Sequence, residues 1–181
     1  MPRSDNLTGA LLMMGSMAAF TINDAMIKGL SGQVPLFQVM FLRGVVTTIL
    51  VALIAWRMGA LTRHLPREDW APVFWRMVGE IGSAYFFVSA LFNMPIANIS
   101  AIMQALPLTI TLAAALFFRE PVGWKRMSAI LAGFIGVMLI VRPGTEGFNV
   151  YSVYGLAAVA FVTLRDLATR KLSRDVPSML V

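Results

Sequence analysis

Few side chains in this sequence could do chemistry, and most of them stand among apolar neighbours. Arg43 and Glu80 each lie inside a hydrophobic run, where an ionisable group is expensive and asks for a reason. Arg43 fits two roles. It is either a cation facing a cavity, ready for an anionic group, or a pin to helix-end carbonyls or to Asp24. Glu80 fits three: a proton- or solute-coupled carboxylate, an i,i+4 pair with Arg76, or a link to Arg43. Asp24 and Lys28 are four residues apart, and so are Asp166 and Arg170. Each couple reads as a helix-end ion pair or as one of two symmetric gates. Cysteine is missing and His64 is the single histidine. Thiolate and histidine metal sites are therefore excluded, and no cofactor is expected.

Uncharged groups add a stripe. Asn93, Ala97, Ser100, Gln104, Pro107 and Thr111 recur in steps of three and four, which is one helical face. That face is either a cavity wall, with Ser100 and Gln104 touching a solute, or small and polar glue between helices. Ser16, Phe20 and Asn23 share a face of an earlier helix. The candidate solute contacts are Asn23, Arg43, Glu80, Ser100 and Gln104. Ser128, Ala132 and Gly136, with Ala129 and Gly133 beside them, predict a surface for close helix packing.

The elements that hold these residues must cross a bilayer. The chain is 58% hydrophobic and 13% charged, with mean hydropathy +0.75, against about 25% charged in soluble domains. Spans of roughly 20 apolar residues fall at 7–27, 36–56, 71–92, 96–118, 124–141 and 150–169, and 179–181 looks like the start of another. Breakers separate them: Gly32, Pro35, Pro66, Pro95, Pro121, Pro143 and Gly144. Glu68 and Asp69 precede the third span, where a helix dipole favours acids, and Glu120-Pro121 suits the start of the fifth. Trp56, Trp70, Trp75 and Trp124 fall near interfaces. Ser16-Met17-Ala18 has the small residues of a signal-peptide cleavage site, but the apolar run continues past it and only Arg3 precedes it as a base.

Residues 18–35 recur at 160–177. Seven of eighteen positions are identical, including Thr21/Thr163, Asp24/Asp166, Ser31/Ser173 and Pro35/Pro177, and Lys28 meets Arg170. An odd number of crossings separates the copies, so the second enters from the opposite side, as in many secondary transporters. With the N-terminus cytoplasmic, eleven basic residues lie inside: Arg3, Arg57, Arg63, Arg67, Arg119, Lys125, Arg126, Arg165, Arg170, Lys171 and Arg174. Only Lys28 and Arg142 lie outside, which is a positive-inside bias. The net charge of +6 is thus a matter of topology, and no nucleic-acid partner is expected. The expected fold is an all-α integral membrane protein. Residues 1–149 form a five-helix repeat, and 150–181 begin an inverted second repeat. Doubling the 142-residue offset predicts ten helices and roughly 285 residues.

Several motifs stand in an order that resembles a known family. They are Asn23-Asp24, Phe41-Leu42-Arg43, Gln104-Ala105-Leu106-Pro107, Phe118-Arg119-Glu120-Pro121 and Gly133-Phe134-Ile135-Gly136-Val137, running to Arg142-Pro143-Gly144. Together they resemble the EamA-type half of the drug/metabolite transporter superfamily. The resemblance implies two inverted five-helix repeats, cytoplasmic termini and movement of small organic compounds across a bacterial inner membrane. It implies no particular substrate.

The leading expectation is a secondary transporter working by alternating access, with the lipid bilayer and a small-molecule substrate as its partners. The alternative is an interaction subunit that needs a missing C-terminal half or a dimer partner. An intramembrane enzyme is a third class. With no cysteine and no histidine inside a span, its catalytic equipment is poor.

Overall fold

The computed structural model describes residues 5–59, 65–119, 121–141, 149–173, 176 and 181. Arg3, Arg63, His64, Glu120, Arg142, Pro143, Gly144, Arg174, Pro177 and Met179, and the readings placed on them, lie outside that range. Among the described residues the chain is helical throughout. Its helices are α1 (Asp5–Gly29), α2 (Leu36–Arg57), α3 (Trp70–Asn93), α4 (Ile96–Met103), α5 (Leu106–Phe118), α6 (Trp124–Val141) and α7 (Val150–Arg170). A 3-10 turn, Arg67–Asp69, leads into α3.

Among the described residues, four helical stretches are long and apolar enough to cross a membrane: Leu7–Gly29, Leu36–Arg57, Ile96–Phe118 and Val150–Arg170. The 24-residue α3 is long enough to cross, but it carries Arg76 and Glu80. The 18-residue α6 begins with Trp124-Lys125-Arg126. Many large apolar side chains of α1 and α2 are uncovered, which suits contact with lipid. The molecule is an integral membrane protein.

The expected fourth span is broken. Pro107 has no N–H for the Met103 carbonyl, and its ring crowds that carbonyl. The chain tightens there, with the Ala105 N–H donating to the Ile102 carbonyl at 3.0 Å. It restarts as α5 with proline in the first turn.

Contacts fix the directions of the helices. Along α3 the partners run backwards through α7: Asp69 meets Ser173, Arg76 meets Thr169, Glu80 meets Arg165, and Phe86 meets Tyr154 and Phe161. The two helices are therefore antiparallel. Lys28, at the end of α1, reaches Phe92 and Met94 at the end of α3, so α1 and α3 run the same way. It follows that α1 and α7, which carry the repeated sequence, run in opposite senses.

The apolar core joins the ends of α1 and α3 to the starts of α2 and α4, and includes Ile27, Val39, Val88, Leu91, Met94, Ile99 and Ile102. Close approach occurs at four glycines, Gly133 among them. A Cβ on Gly79 would lie 2.8 Å from both the backbone N and the Cβ of Arg165. Gly82 faces the Phe161 ring, and Gly155 receives Ile102 and Ile99. The small row expected to pack on α6 does so only in part. Gly133 meets Leu108, whereas Ser128, Ala129 and Ala132 are exposed and Gly136 has open space.

Candidate functional site

Two polar regions sit at membrane depth. The first follows the seam between α3 and α7. Glu80 lies ten residues, about 15 Å at 1.5 Å per residue, beyond the start of α3, near the middle of a hydrocarbon core roughly 30 Å thick. Its Oε2 accepts from Arg165 Nη1 at 3.3 Å, and Arg165 Nε donates to Asp166 Oδ1 at 3.0 Å. One guanidinium thus holds two carboxylates. Arg165 is fixed from behind by its contact with Gly79. Its backbone carbonyl accepts from the Thr169 hydroxyl at 2.8 Å, and that hydroxyl accepts from Arg76 Nη1 at 2.8 Å. Glu80 is looser. Its side chain is 57% exposed, against 29% for Arg165, so one face of the carboxylate is open to whatever occupies the adjacent space.

Toward the start of α3 the seam ends at Asp69. This residue stands at the N-cap yet makes no cap bond of its own. Its Oδ1 accepts instead from both the N–H and the hydroxyl of Ser173, each at 3.0 Å. It is 2% exposed, and its Oδ2 has no hydrogen-bond partner among the described residues. Beyond Glu80 the seam turns aromatic, with Phe86 stacked on Phe161 at 5.4 Å and edge-on to Tyr154 at 5.2 Å.

The second region is a cleft of about 420 Å³ between α1 and α2, lined by Ser16, Ala19, Phe20, Asn23, Arg43, Val46 and Thr47. It gathers the polar face expected on the first helix and adds Arg43. Asn23 Nδ2 donates to Asp24 Oδ1 at 3.3 Å.

The expected ion pairs are replaced by others. Lys28 does not turn to Asp24. Its ammonium donates to the carbonyls of Phe92 at 2.9 Å and Met94 at 3.0 Å, where a cation meets the negative end of the α3 dipole. The helix-end pin considered for Arg43 is thus made by Lys28. Glu80 pairs with neither Arg76 nor Arg43 but with Arg165. Asp166 pairs with Arg165, one residue away. For Lys28 and Glu80 the partners come from another helix, whereas Asp166 takes the adjacent residue of its own.

The stripe on the fourth span is uncovered except at Thr111, which is half-buried. Asn93, Ala97, Ser100, Gln104 and Pro107 are exposed, while Ile99, Ile102 and Ala105 are buried behind them. Asn93 and Thr111 bond to carbonyls of their own helices, those of Ser89 and Pro107. Ser100 and Gln104 therefore face outward from the core, though no described contact joins them to Arg43 or Glu80. Sequence reasoning missed Arg165, which it counted among the cytoplasmic bases. The signal was there: Arg165 occupies the repeat position of Asn23, and Arg165-Asp166 mirrors Asn23-Asp24 in both sequence and hydrogen bond.

A model of the EamA-like transporter family matches residues 7–142. The chain belongs to this family. Among its curated relatives, the pseudopaline exporter CntI of Pseudomonas aeruginosa is 27% identical over 169 residues, covering 92% of this chain and 58% of the relative. A riboflavin transporter of Vibrio cholerae is 35% identical over 102 residues, covering 56% and 34%. An S-adenosylmethionine uptake transporter of Rickettsia felis is 26% identical over 169 residues, covering 91% and 55%. The chain spans about half the length of the curated relatives it matches. No solved structure gives a significant match. The EamA-like match takes in α1 to α6, and so contains both Arg43 and Glu80, while Arg165 lies beyond it in α7.

Proposed function

We propose that this protein is a secondary transporter that moves a small organic metabolite across a bacterial inner membrane by alternating access. The N-terminus is cytoplasmic, residues 1–149 form one EamA-type repeat, and residues 150–181 begin a second, inverted copy. The opposite senses of α1 and α7 and the bias of basic residues support the inversion. The observation that carries the reading is Glu80, a carboxylate at mid-membrane depth that is held by one long bond and open on one face. A purely structural ion pair in lipid would be closed on all sides, because an unpaired charge there is costly.

In this reading the solute touches Glu80 and Arg165 on one wall and Asn23 and Arg43 on another. Ser100 and Gln104 line a third. The aromatic seam beyond Glu80 suits a solute with an apolar part. Asp24, Lys28, Asp166 and Arg170 orient these walls and do not grip the solute. S-adenosylmethionine and riboflavin, named for relatives, head the panel of solutes to test.

The test is accumulation of radiolabelled metabolites by liposomes that contain the full chain, compared with Glu80→Gln and Arg165→Gln. Saturable accumulation of at least one solute, reduced at least tenfold in both variants, supports the reading. Equal accumulation by wild type and both variants removes Glu80 and Arg165 from the path. No accumulation of any solute by a wild-type protein that retains its helical circular dichroism contradicts the transport reading itself.

A further inference from the structure

If the transport reading holds, something must move, and the usual expectation is that one repeat rocks against the other. The contacts divide the molecule differently. We infer that α3, a helix of the first copy, travels with α7, the first helix of the second copy, so that the rigid bodies cut across the two repeats.

The α3–α7 seam is continuous. It runs from Asp69–Ser173 through Arg76–Thr169 and Glu80–Arg165 to the Phe86–Phe161–Tyr154 cluster. Its middle has no play. At Gly79 the α3 backbone lies flush on the Arg165 backbone, and at Gly82 the Phe161 ring fills the place of a side chain. Parting the helices would uncover that backbone and break three polar rungs in a medium with few replacement partners.

Helices α4 and α5 also touch α7, over a smaller area than α3 does. A Cβ on Gly155 would stand 3.0 Å from Ile102 and 3.1 Å from Ile99 of α4. The Thr163 hydroxyl, on α7, hydrogen-bonds the Thr109 hydroxyl of α5 at 2.9 Å. Gly133 of α6 packs on Leu108 of α5. Helices α3 to α7 thus form one body that contains a helix from each side of the repeat boundary.

Helix α1 is held differently. Residues 7–22 are exposed along their whole length. The polar ties from this end of the chain to α3 are clustered at the outer end: Lys28 to the Phe92 and Met94 carbonyls, and Ser31 to the Phe92 carbonyl at 2.9 Å. Between α1 and α2 lies the open cleft that contains Arg43. A tilt of α1 about the Lys28–Ser31 end opens or closes that cleft and leaves every α3–α7 contact intact.

The chain has no cysteine, so introduced pairs report without background. Spin labels on Glu68→Cys with Lys171→Cys measure the seam, and labels on Met13→Cys with Met77→Cys measure α1 against α3. All four native side chains are exposed. The full chain in lipid nanodiscs is measured alone, with S-adenosylmethionine and with riboflavin, at pH 5.5 and pH 8, the pH values being chosen, as roughly one unit or more on either side of neutrality, to bracket physiological proton gradients. The inference expects one narrow seam distance, constant to within about 2 Å, and an α1–α3 distance that is broad or moves between conditions. A seam distance that shifts by about 5 Å or more overturns it, as does an α1–α3 distance that is narrow and constant throughout.

A second measurement links the motion to transport. A disulfide between Asp69→Cys and Ser173→Cys replaces the inner hydrogen bonds with a covalent bond. Oxidised protein that transports within about twofold of the reduced protein, a difference of roughly 0.4 kcal/mol, supports a seam that never parts. Transport that is lost on oxidation and restored by reduction overturns it. A reduced variant that carries no solute where the wild type does reports the loss of the Asp69–Ser173 hydrogen bonds, and the spin-label distances then decide the inference alone.

Discussion

The flush contact at Gly79 is the feature from which the α3–α7 arrangement takes its rigidity, and it can be tested with one methyl group. In Gly79→Ala the new Cβ would stand 2.8 Å from the Arg165 N, 2.8 Å from its Cβ and 2.9 Å from its Cα. Two of these atoms are backbone, so no rotamer change relieves the clash, and α7 must shift away from α3. Overpacking of this kind costs about 1–3 kcal/mol. The same substitution improves helix propensity by up to about 1 kcal/mol, and a control must remove that term. Gly136→Ala does so, because Gly136 is also helical and a Cβ there meets nothing within 4 Å. At about 2–4 °C per kcal/mol for a chain of this size, Gly79→Ala should melt roughly 2–12 °C below Gly136→Ala. The assay is gel filtration of the detergent-solubilised protein after heating, scored by the surviving monodisperse peak. A Gly79→Ala variant that melts with or above Gly136→Ala would show that the two backbones do not touch, and the rigid-body argument would fall with it.

Two further outcomes follow from single contacts. Lys28→Met keeps the stem but loses two charge-assisted bonds to the end of α3. It should cost about 1.5–3 kcal/mol, read as a fall in melting temperature that Lys28→Arg largely avoids. Asn149 caps α7, its side-chain oxygen accepting from the N–H groups of Tyr151 at 3.0 Å and Ser152 at 3.2 Å. Asn149→Ala should cost about 0.5–2 kcal/mol and Asn149→Asp almost nothing, and equal melting of the two variants would refute the cap.

The span limits were legible because the bilayer demands long apolar runs and the chain breaks them with proline. Pro35 and Pro95 each stand just before a helix, α2 and α4. The reading of 36–56 against Leu36–Arg57, or of 124–141 against Trp124–Val141, shows how much hydropathy and breakers carry. What they do not carry is which helix faces which. The break in the fourth span was half visible, since Pro107 declared a lost hydrogen bond, but whether a helix kinks or restarts depends on its neighbours. The glycines that matter were also obscure. Ser128, Ala132 and Gly136 make the better four-residue pattern, yet the close approach falls at Gly79 and Gly82, three apart on a helix that also bears charges. A small residue permits close packing and does not compel it.

The charged residues were harder to place because charge pairing is a tertiary choice. Glu80 had partners within its own helix, and Arg165 looked like one more base in a cytoplasmic cluster. Depth alone could not join them. The antiparallel register of α3 on α7 did, by setting residue 80 opposite residue 165.

The repeat offers a deeper regularity that neither copy reveals alone. Ser31 and Ser173 are the same position in the two copies, and both grip α3, at opposite ends. At its C-terminal end the exposed groups are carbonyls, so the grip is made by donors, the Ser31 hydroxyl and the Lys28 ammonium. At its N-terminal end the unsatisfied backbone groups are donors, and a serine hydroxyl that donates has nothing there to bond. Asp69 supplies the acceptor. It forgoes capping its own helix and presents its carboxylate to Ser173, where the dipole of α3 also favours a negative charge. The repeated sequence thus meets the two chemically opposite ends of one helix. The repeated serine can serve both ends only because the α3 side changes its chemistry. Asp69 is therefore the residue through which α3 is fitted to Ser173, and its replacement should loosen that end of the seam without disturbing Lys28 and Ser31 at the other.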